Sequence, residues 1–282
     1  MLIKFTGGTV YDPMNGVDGE VRDIYAKDGR IVAQPPPGTR IDAEHALNGR
    51  VVMAGAIDPH SHIGGGKMTI GRMLLPEDHQ RDTVARTDLL RSGCGHAVPS
   101  TMTTGYRYAE MGYTAAFEPA MLPANARQAH LEMGDTPMID KGAFVMLGSD
   151  DFFLRSLVEK KDFSFIKDYI AWTMHASQAL AVKIVNPGGI SAFKFNQRAL
   201  DLDEKHVYYG VTPRDVILAL ARGMKELGVP HPIHIHGCNL GVPGNMGSTL
   251  ATIRGAEGLP LHLTHIQFHS YGTEGDLKFS SG

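Results

Sequence analysis

Val51-Val52-Met53-Ala54-Gly55-Ala56-Ile57-Asp58-Pro59-His60-Ser61-His62 is the stretch on which the fold turns. An apolar run closes on two histidines two residues apart. Side chains alternate across an extended chain, so both imidazoles point the same way. Two convergent imidazoles at the end of a buried strand form half of a metal site. Gly64-Gly65-Gly66 follows at once, so the chain turns sharply there and its backbone can approach a ligand closely.

Working outward from residue 51, strands alternate with helices. Strands are expected at 51–57, 113–118, 143–147, 181–185, 231–236 and 259–267. Helices are expected at 163–180 and 213–227, the second with Thr212 as N-cap, Pro213 at the first helical position and Gly228 as the stop. Such alternation makes a parallel sheet. A doubly wound sheet would carry a glycine-rich phosphate loop after its first strand, whereas here that strand delivers histidines. A barrel gathers functional residues at the C-terminal ends of its strands, which is where His60, His62, Lys183, His236 and His265 fall. The expected fold class is therefore α/β, a (β/α)8 TIM-type barrel. Eight units need ~250 residues. Only six strands can be placed before the polar Tyr271-Gly272-Thr273-Glu274-Gly275, so the barrel is expected to be truncated after about six strands. Upstream, Gly7-Gly8, Asp12-Pro13, Asn15-Gly16, Asp28-Gly29 and Asn48-Gly49 punctuate short strands at 2–5 and 30–33. Residues 1–50 read as a small β-sandwich-like domain and 51–282 as the incomplete barrel.

Composition excludes several classes. The chain has 282 residues, 43% of them apolar, and net charge −3, which gives ample material for a core and no basic surface for nucleic acid. Cys94 and Cys238 are the two cysteines, too few for a disulfide framework, so a reducing cytoplasm is expected. No secretion signal is visible. Nothing approaches ~18 consecutive apolar residues, so no membrane span is expected.

Lys183 lies in Ala181-Val182-Lys183-Ile184-Val185-Asn186-Pro187-Gly188-Gly189. A charged lysine inside an apolar strand is costly. An amine that snorkels to solvent is the ordinary outcome; the functional one is carbamylation by CO2, which turns a cation into a carboxylate able to bridge two metals. In His231-Pro232-Ile233-His234-Ile235-His236, His234 and His236 share a face. His236, nearer the strand end, is favoured as the ligand, with His234 as second choice or as a partner orienting its neighbour. In Leu261-His262-Leu263-Thr264-His265, His265 is nearest the expected strand end, and His262 has the opposite parity and should face the helices. Together His60, His62, Lys183, His236 and His265 would hold two Zn2+-like ions, with Lys183 and His265 closest to the chemistry. Two such ions acidify water and polarise a carbonyl oxygen, which suits amide hydrolysis or its reverse. An aspartate on the eighth strand would normally act as general base, and none can be assigned here. His79, Asn186 and His269 are candidates for substrate contact, and Arg72 could meet an anionic substrate tail. Cys94 and Cys238 read as packed residues.

At Asp58-Pro59-His60-Ser61-His62-Ile63 the chain resembles the amidohydrolase superfamily. Three further segments narrow the resemblance: Arg72-Met73-Leu74-Leu75-Pro76-Glu77-Asp78-His79, Lys183 to Gly189, and Thr264-His265-Ile266-Gln267-Phe268-His269-Ser270-Tyr271-Gly272. They are similar to the A-subunit family of formylmethanofuran dehydrogenases and of bacterial formyltransferase/hydrolase complexes, over about the N-terminal half of a member. The resemblance implies a dinuclear zinc site with a carbamate on Lys183. It implies formyl-methanofuran or a related furan-type one-carbon carrier as substrate, cleaved to formate and free amine or built in reverse. It also implies the other members of such a complex as partners, and a stretch that alone is inactive. The alternatives are a cyclic-amide hydrolase of dihydroorotase or hydantoinase type, and a non-catalytic scaffold that keeps the fold.

Overall fold

The computed structural model describes residues 1–74, 76–78, 84–95, 99–192, 195–196 and 200–281. It separates into two compact units, Met1–Ala56 and Ile57–Gly282.

The first unit is built on β1 (Leu2–Asp12), which pairs antiparallel with β2 (Val17–Lys27). β3 (Arg30–Val32) extends β2, and β4 (Ala43–Ala46) and β5 (Val51–Val52) run parallel to β1. The expected stop at Gly7-Gly8 is a bulge instead, for the β1–β2 register slips between Phe5 and Gly8. Gly7 takes φ +68, and a Cβ on Gly8 would lie 2.6 Å from the Leu47 side chain. Two glycines thus let one long strand bend where other residues would break it.

The expected strand at 51–57 is divided. Val51–Val52 is β5 of the first unit, whereas β6 (Ala56–Asp58) begins the second sheet. Val51, Met53 and Ile57 are each more than half exposed. The apolar run is two short edge segments joined by Met53-Ala54-Gly55, and no buried strand runs through it. An edge strand has a neighbour on one side only, so apolar composition there does not imply burial.

The second unit is a curled parallel sheet in the order β6, β7 (Tyr113–Met121), β8 (Asp140–Leu147), β9 (Ala181–Val185), β10 (Ile233–His236), β11 (Leu261–Leu263). This is the TIM-type arrangement expected from the alternation. The helices between strands are α1 (Gly66–Leu74) and α2 (Thr101–Glu110), α3 (Ala126–Gly134), α4 (Asp151–Val158) and α5 (Phe163–Ala176), α6 (Gly189–Ala192) and α7 (Pro213–Glu226), and α8 (Met246–Gly255). α7 starts at a full capping box, Thr212 and Asp215 exchanging bonds, with Pro213 at its first position. Its Val216, Ile217, Leu220 and Met224 are buried at helical spacing, and they join Val182, Ile184, Ile233 and Ile235 in the core. Leu220→Ala should cost about 2–5 kcal/mol.

The opposite face of this sheet carries the polar residues. Lys183 is in register with His234, and His234 with His262. Register partners in adjacent strands point to one face, so all three share it. A residue of positive φ lies within three residues of the end of β8, β9, β10 and β11: Gly148 and Asn186 directly after their strands, His265 two and Asn239 three residues on. The left-handed backbone turns each chain into its loop. Among the described residues no helix is long and apolar enough to cross a membrane.

Candidate metal centre

The segment carrying His60 and His62 is fixed before either ring reaches a ligand. The His60 amide donates to Asp58 Oδ1 at 3.0 Å. Tyr108 donates to Asp58 Oδ2 at 2.8 Å and bonds Ser61 Oγ. The Ser61 amide donates to the Phe117 carbonyl. These bonds fasten the turn to β7 and α2.

Lys183 is 1% exposed. Its Nζ lies 3.1 Å from His60 Nε2 and donates to Thr264 Oγ1 at 2.9 Å. The Thr264 hydroxyl passes a hydrogen bond to the Ile235 carbonyl at 3.0 Å. Among the described residues no carboxylate forms an ion pair with the amine. Burial pushes the Lys183 pKa down to about 7, against the pull of Glu118, which raises it.

Two groups of three histidines hold ring nitrogens within 4.8 Å of one another: His60, His62 and His265, and His60, His234 and His262. Their ring geometry separates them. His234 stacks on His262 at 4.1 Å and 16°, and on His60 at 5.2 Å and 15°. An imidazole lone pair lies in its ring plane. Stacked rings keep their lone pairs in parallel planes, which do not meet at one point about 2 Å from each nitrogen. In the other group His60 meets His62 at 70° and His265 at 83°, so those planes cross and can converge on one ion. The donor set fits a zinc-like cation there.

Desolvation first, and then the Lys183 cation and neighbouring rings, depress the imidazole pKa values. His60 falls to about 2, His236 to about 3 and His265 to about 4. For His234, pushed to about 3, the second cause is His262. All four are neutral at neutral pH, the form that ligates metal.

The remaining expected residues fall as follows. His236 sits at the end of β10, its ring 5.3 Å from that of His265 and 5.9 Å from that of His269. His269 is buried against Gly237, and among the described residues its Nε2 has no partner. Asn186 follows β9 with φ +40, and among the described residues its buried Oδ1 has no partner. His79 lies outside the described residues. Arg72 is not available to substrate: it is 7% exposed and donates to Glu132 and to the Pro99 carbonyl, both at 3.1 Å.

The expectation for His262 is overturned, since its ring stacks on His234 rather than facing the helices. The parity argument needs a strand that reaches residue 267, but β11 ends at Leu263 and His265 adopts φ +57. The left-handed residue resets the alternation. Sequence reasoning misses Glu118 and Thr264. The signal for Glu118 is a carboxylate following the apolar Tyr113-Thr114-Ala115-Ala116-Phe117 run, at the end of the strand expected from sequence, where barrels place function; β7 itself continues to Met121.

A curled parallel sheet with metal-ready histidines at its strand ends is the architecture of the amidohydrolase family, and the chain belongs to that family, whose pattern matches residues 43–270. It is 43% identical over 286 residues to Protein FwdA of Methanocaldococcus jannaschii, covering 97% of this chain and 49% of that protein. It is 41% identical over 274 residues to the A subunit of the formyltransferase/hydrolase complex Fhc of Methylorubrum extorquens, covering 96% of this chain and 48% of that protein. The crystal structure of the M. extorquens formyltransferase/hydrolase complex FhcABCD with methylofuran superposes with a TM-score of 0.86 at 40% identity, over 98% of this chain and 49% of that chain. The chain thus spans about half the length of the curated relatives it matches.

Proposed function

We propose that this chain carries the metal centre of an N-formyl amide hydrolase working within a one-carbon transfer complex. The observation that supports it most directly is the crossing of the His60, His62 and His265 ring planes beside a buried amine, in a chain 41% identical to a member of a formyltransferase/hydrolase complex. The proposed substrate is the formyl amide of methanofuran or a related furan carrier, cleaved to formate and free amine or formed from them. The proposed partners are the other subunits of such a complex, and the proposed compartment is the cytoplasm.

His60, His62, His236, His265 and a carbamylated Lys183 would hold two Zn2+. Bound there, the ions would supply Lewis acidity to the formyl carbonyl and would acidify a water molecule. Each protein group has a task of its own. Lys183, with its pKa near 7, offers a substantial share of free amine at neutral pH. The amine nitrogen attacks CO2, forming an N–C bond and releasing a proton to solvent, so a buried cation becomes a carboxylate. Thr264 Oγ1 holds the lysine end in place. The neutral imidazoles present lone pairs without first losing protons. Asn186 Oδ1 and His269 Nε2, both buried and unpartnered among the described residues, are the proposed substrate-facing polar atoms.

The test is metal analysis, intact mass and turnover on the assembled complex. Two metal ions and one CO2 per chain, with formate released from a formylated furan amine, are expected. Turnover of dihydroorotate or a hydantoin, with none of the formyl amine, overturns the reading.

A further inference from the structure

We propose that Glu118 is a positioning residue for the metal centre, fixing both the tautomer and the direction of the His62 ring. The inference rests on the metal-site reading above.

Glu118 lies in β7 where the β7–β8 register slips, and it is 1% exposed. Three backbone donors and one imidazole nitrogen surround its carboxyl group. Oε1 faces His62 Nδ1 at 3.1 Å and accepts from the Ala120 amide at 2.8 Å. Oε2 accepts from the amides of Ile63 at 2.8 Å and Gly64 at 3.2 Å. Three amides aimed at the carboxyl favour its ionised, accepting form. In that form its partner His62 Nδ1 is the N–H donor. A neutral imidazole has one ring proton, which leaves Nε2 as the lone pair free to ligate in the group formed with His60 and His265.

The same carboxylate fixes where the ring points. Its two amide bonds reach the residues immediately after His62, so ring and backbone are gripped by one group. A second buried carboxylate continues the grip: Glu132, 0% exposed, accepts from the Gly65 amide at 3.2 Å and from Arg72 at 3.1 Å. Gly65 adopts φ +74, and a Cβ there would stand 2.7 Å from Ala129 Cβ. Glu132 therefore shapes the loop without touching a ring. His60 has no such carboxylate at its Nδ1, which lies 2.9 Å from His234 Nδ1. Carboxylate support of this kind is worth about 10–100-fold in metal affinity.

The experiment strips the full chain, in its assembled form, of metal and titrates it with Co2+. It compares wild type, Glu118→Gln and Glu132→Gln. In E118Q the new side-chain amide can donate its N–H to His62 Nδ1 and so place the ring proton on Nε2. A loss of about 10–100-fold in Co2+ affinity is expected for E118Q, with a changed visible Co2+ spectrum. E132Q should lower the melting temperature and leave that spectrum as it is. Equal affinity and an identical spectrum for E118Q and wild type overturn the inference. A wild-type chain that takes up no metal overturns the metal-site reading instead. If E118Q does not fold, the 15N resonances of His62 in the stripped wild-type chain decide: protonated Nδ1 supports the inference, and protonated Nε2 overturns it.

Discussion

The two histidine groups share His60 and differ in where their other members ride. His234 and His262 are register partners on adjacent strands, and their rings lie one over the other. His62 and His265 sit just beyond strand ends, and their rings meet His60 at steep angles. A parallel ladder imposes a common side-chain direction on neighbours, so strand-borne imidazoles pile up, whereas loop-borne ones are free to converge. Proximity of nitrogens does not make a metal site. Ring orientation is what distinguishes the two groups, and here the backbone sets it.

Metal titration is the strongest way to break this comparison. His62→Ala should lower Co2+ or Zn2+ affinity at least about 100-fold, while His262→Ala should leave it as in wild type. Equal losses would mean that the stacked group ligates after all. Acid unfolding sharpens it next. His60, His234, His236 and His265 have folded pKa values of about 2 to 4, below the unfolded value of about 6.5. Between those values the unfolded chain binds more protons, so stability is full above pH ~6.5 and is lost as pH falls through that window. The stripped chain should show that fall in melting temperature, and His234→Phe should make it shallower. An unchanged slope would show that the stacked ring is not desolvated. The smallest effect is a control remote from both groups: Thr212→Ala should cost about 1 kcal/mol in denaturant unfolding and leave metal uptake unaltered.

Much of the fold and half of the site are legible in the sequence because the signals are local. Ala181–Val185 is a strand with the bounds its apolar run suggests, and α7 starts at the cap and proline read from Thr212-Pro213. The pairing of His60 with Lys183 follows from placing both at strand ends, and the two lie 3.1 Å apart. What escapes depends on backbone breaks that composition does not announce. The 51–57 run splits between two sheets because its apolar residues belong to edges. Parity puts His262 on the wrong face because its strand stops two residues before His265. Glu118 escapes because its worth lies in partners brought from outside its own local pattern, the His62 ring and the amides of Ile63 and Gly64 in the loop after β6.

The left-handed exits after β8 to β11 narrow what evolution can write at one of them. Asparagine, aspartate and histidine enter that basin several-fold more readily than other side chains, glycine aside. Of these, histidine alone offers a neutral nitrogen lone pair. Residue 265 is therefore constrained by torsion and, on the proposed metal-site reading, by coordination chemistry as well. Asparagine or glycine could stand there at little conformational expense, whereas an alanine would carry backbone strain whatever the residue's chemistry.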